Sequence, residues 1–177
     1  GPKKMGESML DLGRTFLQAV ERDPSSLALV DGSKRYTYEE WALHIGAIQE
    51  FFNKKGLKNG DRILTILQNR FESATIHWAC QMAGIAIVPL NWRSKPNEID
   101  YCAQNADVKL AFVEEVSLSN YLQSETSKSI SVILCMEKVP SDGYTYFEEL
   151  IQVGVKPTAQ GHVEDVSVML FTSGTTG

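Results

Sequence analysis

The chain has 177 residues, 43% hydrophobic and 22% charged, with 17 Lys plus Arg against 22 Asp plus Glu for a net charge of -5. That is the composition of one ordinary globular domain, and it excludes collagen-like, low-complexity and disordered classes. The basic residues are scattered, with Lys54, Lys55 and Lys58 the densest group. No basic face is available for nucleic acid, so an anionic ligand has to be held by backbone amides and hydroxyls.

Taken in chain order, Leu10 to Arg22 places Leu10, Phe16, Leu17 and Val20 on one helical face, ended by Asp23-Pro24. Leu27 to Val30 reads as a strand, Asp31-Gly32-Ser33 as a turn and Lys34 to Tyr38 as a returning strand, which together predict a β-hairpin. Thr37 is placed to cap a helix with Glu39 and Glu40 in its first turn and Trp41, Ile45, Ile48 and Phe52 on one face, stopping at Gly56.

From Asn59-Gly60-Asp61 onward the pattern becomes regular. Strands are predicted at Arg62 to Leu67, Ile85 to Val88, Lys109 to Val113, Ser131 to Cys135 and Val166 to Phe171. Helices are predicted at Phe71 to Ala83, from Lys95-Pro96-Asn97-Glu98 through Asn105, at Leu118 to Gln123 and at Tyr146 to Ile151. Lys138 to Gly143 and Gly154 to Gly161 read as loops. The later strands are continuous apolar runs, as expected of strands buried on both faces. The predicted fold class is therefore α/β: a doubly wound, largely parallel sheet with flanking helices and an N-terminal β-hairpin.

Cys80, Cys102 and Cys135 are widely spaced and form no C-x-x-C pair. Cys80 and Cys135 sit in apolar surroundings, where a structural buried thiol is expected, and the pattern of the three suits a reducing compartment. No apolar run reaches the ~18 residues of a membrane span. The stretch GPKKMGESMLDLG lacks the apolar core of a signal peptide, so the cytoplasm is the expected location. His77, within a predicted helix beside Trp78, is expected to be a core or boundary histidine and not a general base. His44 and His162 have no carboxylate or cysteine partners at useful spacing, and no metal site is expected.

Ligands of open parallel sheets bind beyond the carboxyl ends of the strands. The residues leaving the last predicted strand are Thr172, Ser173, Gly174, Thr175, Thr176 and Gly177. Two glycines allow close backbone approach, consecutive amides can form an anion nest, and the hydroxyls add donors. A Ser/Thr/Gly surface turn is the alternative reading of such a hexamer. The Walker A spacing is absent, and so is G-x-G-x-x-G.

FTSGTTG closely resembles the start of the phosphate-loop signature of adenylate-forming enzymes, the group of acyl-CoA synthetases, luciferases and peptide-synthetase adenylation domains. RYTYEEW, the block GLKNGDRILTILQNRFESATIHWACQMAGIAIVPL and EIDYCAQNADVKLAFVE resemble further family segments in the same order. The resemblance runs from about Leu27 to Gly177.

The resemblance implies that residues 1–177 are a single α/β unit, a truncated N-terminal part of the large AMP-binding domain, with the C-terminal lid domain absent. It implies that Thr172, Ser173, Gly174, Thr175, Thr176 and Gly177 contact the phosphates of ATP. The reaction it implies is attack of a substrate carboxylate on ATP, giving acyl-AMP and pyrophosphate, followed by acyl transfer to CoA. ATP, Mg2+ and CoA are therefore the expected cofactors of the full-length parent, and a small carboxylic acid is its expected partner. No catalytic residue of the family falls in the chain, and the 177 residues alone are expected to be inactive.

Pro89-Leu90-Asn91-Trp92-Arg93 leans toward CoA ligases, with Arg93 expected to fix its loop. A fatty acid is the favoured substrate, while aromatic acid, succinylbenzoate and peptide-synthetase alternatives stay open. So does a non-catalytic nucleotide-binding or purely structural role. Self-association through apolar surface left by truncation is also expected.

Overall fold

A computed structural model describes residues 16–32, 34–68 and 71–159. Helix α1, residues 16–22, ends before Asp23-Pro24 and sets Phe16 against Trp41 and Trp78, at ring-centroid distances of 5.3 and 4.9 Å. Strands β1 (Leu27–Asp31) and β2 (Lys34–Thr37) pair antiparallel with Asp31 opposite Lys34, giving the expected hairpin.

Thr37 then caps α2 (Tyr38–Lys54) reciprocally. The Glu40 amide donates to Thr37 Oγ1 at 3.1 Å, and the Thr37 amide donates to Glu40 Oε1 at 2.9 Å. Two orphan donors of the first turn are thereby satisfied. Trp41, Ile45, Ile48 and Phe52 are all buried on one face. The helix ends at Gly56, whose φ of 76° lies in the left-handed region that suits glycine.

Among the described residues, five strands form one parallel sheet in the order β4-β3-β5-β6-β7. These are β3 (Arg62–Ile66), β4 (Ala86–Pro89), β5 (Leu110–Glu114), β6 (Ser131–Cys135) and β7 (Thr145–Tyr146). The helices between them are α3 (Phe71–Ala83), α4 (Pro96–Ala106), α5 (Glu115–Gln123), a short 3-10 turn at Thr126–Lys128, and α6 (Phe147–Leu150).

Alternate side chains of each strand enter opposite cores. Ile63, Leu110, Phe112 and Ile133 pack with Ile45, Phe52, Ile76 and Cys80 of α2 and α3. Leu64, Ile66, Ala111, Val113 and Leu134 pack with Ile99, Cys102 and Ala103 of α4 and with Tyr121 of α5. Helices cover both faces, so the sheet is doubly wound, and the strands are apolar on both sides for that reason. All three cysteines are free and buried.

Three details differ from the sequence reading. Helix α5 begins at Glu115, three positions before Leu118, because the Glu114 amide donates to Ser117 Oγ at 3.0 Å and starts the helix without apolar periodicity. Tyr146, expected to begin a helix, instead closes the short strand β7, paired with Leu134, and is fully buried. Several strand limits also move by one residue. Residues 10–15 of the first predicted helix and the predicted strand 166–171 lie outside the described residues.

Two expected outcomes follow from this packing. Thr37→Ala should destabilise the chain by about 1 kcal/mol in denaturant unfolding, the usual cost of a lost helix cap. The His44 ring stands edge-on to Tyr36 at 4.9 Å and to Phe71 at 5.8 Å, with no hydrogen-bond partner for Nδ1 among the described residues. Burial pushes its pKa below the ordinary value of 6.5, and a backbone hydrogen bond to Ile151 and the nearby Glu40 offset this only in part. The unfolded chain therefore takes up a proton first as pH falls. Stability should be full above about pH 6.5 and should fall as the pH is lowered through that value toward the depressed folded pKa. Unfolding midpoints of His44→Phe against pH should lose that slope.

Candidate functional site

In a doubly wound sheet the crevice opens where the strand order reverses, beyond the carboxyl ends of the strands. Here that point lies between β3 and β5, since the connection to β4 runs one way from β3 and the connection from β4 returns past it. There β5 ends in Glu114, and Gln68 follows two residues after the end of β3. Glu114, 1% exposed at the end of β5, accepts hydrogen bonds from the Gln68 amide and, at 2.9 Å, from Gln68 Nε2. Ser117 Oγ in turn donates to the Ile66 carbonyl at 2.7 Å. The ends of β3 and β5 are thus stitched together, and the turn leaving β3 is held by a buried carboxylate.

The chain leaving β4 is fixed in the same region. Asn91 Oδ1 accepts the Arg93 amide at 2.8 Å, the Asn91 carbonyl accepts the Ser94 amide at 2.9 Å, and Asn120 Nδ2 of α5 donates to the Ser94 carbonyl at 3.0 Å. The exposed Arg93 guanidinium lies over the Trp92 ring, 4.4 Å from its centroid.

Helix α3 starts at this same edge, and a helix N-terminus is a ready anion site. One of its amides is taken from within the chain. Asp31 Oδ2 at the end of β1 accepts the Phe71 amide at 2.5 Å. Lys34 Nζ lies 3.7 Å from Glu72 Oε2 in the first turn of the helix. With Asp31 and Glu72 at this end, an incoming phosphate meets two carboxylates and no free first-turn amide at Phe71.

A cleft of about 500 Å3 lies at the opposite, amino edge of the sheet, lined in part by Gln49, Phe52, Leu57, Ile85 and Lys156. Among the described residues no group of three or more His, Cys, Asp or Glu is arranged to hold a metal ion. No described helix is long and apolar enough to cross a membrane.

Thr172, Ser173, Gly174, Thr175, Thr176 and Gly177, the residues singled out from the sequence, lie outside the described residues, as does His162. His77 is exposed on α3 with its ring 5.6 Å from Trp78, a boundary position with no acid or base partner among the described residues. The sequence reading did not anticipate Asp31, Gln68 or Glu114. The available signal for Glu114 was a carboxylate ending the apolar run Leu110-Ala111-Phe112-Val113, a place where burial demands hydrogen-bond donors. Glu114→Ala should lower stability by about 2 kcal/mol, because the two hydrogen bonds that tie the turn after β3 to the end of β5 are lost. Chemical denaturation checks this, and Glu114→Gln should lose less.

Residues 16–177 match the family model described as AMP-binding enzyme. The chain is 25% identical over 173 residues to 2-succinylbenzoate–CoA ligase of Bacillus licheniformis, across 96% of this chain and 33% of that protein. It is 25% identical over 181 residues to a medium/long-chain-fatty-acid–CoA/3-oxocholest-4-en-26-oate–CoA ligase of Mycolicibacterium smegmatis, across 98% of this chain and 32% of that one. The chain therefore spans about a third of the length of these curated relatives. Its fold matches that of an anthranilate CoA ligase solved with anthranoyl-AMP, with a TM-score of 0.79 at 18% identity over 96% of this chain and 32% of that one. At that identity the likeness speaks to the fold alone.

Proposed function

This chain belongs to the AMP-binding enzyme family, and on that footing we propose that it forms the N-terminal part of the large domain of an ATP-dependent acid–thiol ligase. The observation behind the reading is the family match, which runs unbroken from residue 16 through the FTSGTTG tail. The occupied N-terminus of α3 supports it from the other side. Asp31 takes the Phe71 amide at that end, which makes it less open to phosphate and favours another segment for that role.

In the proposed reaction a carboxylate oxygen of the acid attacks the α-phosphorus of ATP. The bond to the bridging oxygen breaks and pyrophosphate leaves, giving acyl-AMP. The CoA thiol then attacks the acyl carbonyl, and AMP departs with the electron pair. Thr172 to Gly177 are assigned to the ATP phosphates, with amides and hydroxyls as donors around the departing pyrophosphate. Their contribution is positional and electrostatic, with no covalent nucleophile. The hydroxyl oxygens of Thr172, Ser173, Thr175 and Thr176 are the groups that would face a Mg2+ carried in with ATP, which would supply neutralisation of phosphate charge.

The proposed acid is a medium or long fatty acid, in keeping with the M. smegmatis relative. The B. licheniformis relative supports succinylbenzoate as a second reading. The proposed compartment is the cytoplasm, in keeping with three free buried thiols.

The test is carboxylate-dependent ATP–pyrophosphate exchange by the full-length enzyme across fatty, aromatic and succinylbenzoate acids. Exchange with fatty acids in preference to the others is expected, and exchange with no carboxylic acid refutes the proposal. Ser173→Ala and Thr176→Ala should each lower kcat/KM for ATP by about tenfold to a hundredfold, the range expected for removal of an oriented donor to developing negative charge. The 177 residues alone, a third of the relatives' length, should give no exchange.

A further inference from the structure

After α6 the chain turns back and runs in extended form along the outer side of α2. Val155, Pro157 and Ala159 are half-buried there, alternating with exposed Lys156 and Thr158, the pattern of a strand lying on a surface. Among the described residues no strand pairs with this segment, so its backbone groups have to be satisfied elsewhere. Helix α2 satisfies three of them. The Val155 amide donates to the Leu43 carbonyl at 3.2 Å. Six residues along the helix, the side-chain amide of Gln49 meets both backbone groups of Thr158. Gln49 Nε2 donates to the Thr158 carbonyl at 2.8 Å, and the Thr158 amide donates to Gln49 Oε1 at 2.9 Å. Gln49 is 8% exposed, so this pairing also satisfies an otherwise buried amide.

Between these two points the segment touches the helix backbone itself. A Cβ at Gly46 would lie 1.7 Å from the Val155 carbonyl oxygen and 2.5 Å from its carbon, a collision with backbone that no side-chain rotation relieves. On the other side, a Cβ at Gly154 would lie 2.9 Å from Leu43 Cβ. Glycine in a helix interior is unfavourable relative to alanine, so Gly46 weakens α2 unless the close approach compensates. None of these contacts reads a side chain of the segment. Helix α2 recognises extended backbone as such.

The segment runs in the same direction as α2, from Leu43 beside Val155 to Gln49 beside Thr158, so the chain passes Ala159 at the amino edge of the sheet. The residues that follow lead to Thr172–Gly177. We infer that Gly46 and Gln49 are positioning residues, a backbone clamp on α2 that fixes Val155–Thr158 and through it the path of the chain into the phosphate-contacting tail. The second half of this inference rests on the ligase reading above.

The test compares Gly46→Ala and Gln49→Glu with wild type in the full-length enzyme, by amide hydrogen exchange and by steady-state kinetics. Gln49→Glu keeps the acceptor for the Thr158 amide and places an oxygen against the Thr158 carbonyl. In both variants the Val155 and Thr158 amides should exchange about tenfold faster, as local opening becomes easier. KM for ATP should rise several-fold, while KM for the carboxylic acid holds. Unchanged exchange in Gly46→Ala, together with the higher melting temperature that alanine ordinarily gives a helix, overturns the clamp. Released amides with an unchanged ATP KM overturn the positioning role. A wild-type enzyme that exchanges pyrophosphate with no carboxylic acid refutes the ligase reading instead, and amide exchange then decides the clamp by itself.

Discussion

A parallel sheet leaves both faces apolar, and both must be covered for the fold to persist. Every other feature of this chain follows from that requirement. Phe112 points into the layer under α2 and α3, while its neighbours Ala111 and Val113 point into the layer under α4 and α5, and all three are fully buried. Each large side chain removed from water in this way contributes about 1.5–3 kcal/mol, the scale of hydrophobic burial. With no solvent face available, polar chemistry is forced to the sheet's edges. Functional groups accordingly cluster at strand ends and not along the strands.

The two edges are used differently. At the carboxyl edge, Glu114 ties β3 to β5 through Gln68, and Asp31 ties the hairpin to the start of α3. Both carboxylates take backbone amides that a phosphate could otherwise use. A member of the AMP-binding enzyme family thus places its own carboxylates at the carboxyl edge of its first βα unit. At the amino edge the polar groups belong to connections. Arg62 reaches the Ala106 and Gly60 carbonyls and lies 3.7 Å from Asp107, joining the ends of β3 and α4.

The N-terminal hairpin and α1 show the same economy on a smaller scale. A two-stranded hairpin is marginal alone in water. This one is carried by aromatic contacts with the helices: Tyr36 stacks on Phe71 at 4.7 Å, and Phe16 lies against Trp78. Lys34 adds a position 5.3 Å from the centre of the Phe71 ring. Residues near the start of the chain thereby bear on the N-terminus of α3, part of the candidate site.

Period and punctuation were legible in the sequence, because they are local. The apolar stripe Trp41, Ile45, Ile48 and Phe52, the cap at Thr37 and the stop at Gly56 need only neighbours within a few residues, and all of them stand in the structure. Continuous apolar strands identified a sheet covered on both sides, and ordered motifs identified the family. Contacts between distant residues were not legible. Strand order, the reversal between β3 and β5, the Asp31 bond to Phe71 and the Gln49 bond to Thr158 join positions 40 and 109 residues apart in the last two cases, and no periodicity encodes them. Tertiary packing brought Glu114 to Gln68, and only the returning chain made Gly46 a point of contact. Sequence alone determined most of the described strands and helices, β7 excepted, and which family they compose, since those depend on local spacing and residue type. Which backbone groups remain free to meet a ligand was decided by the tertiary structure, since that depends on what the fold brings to each strand end.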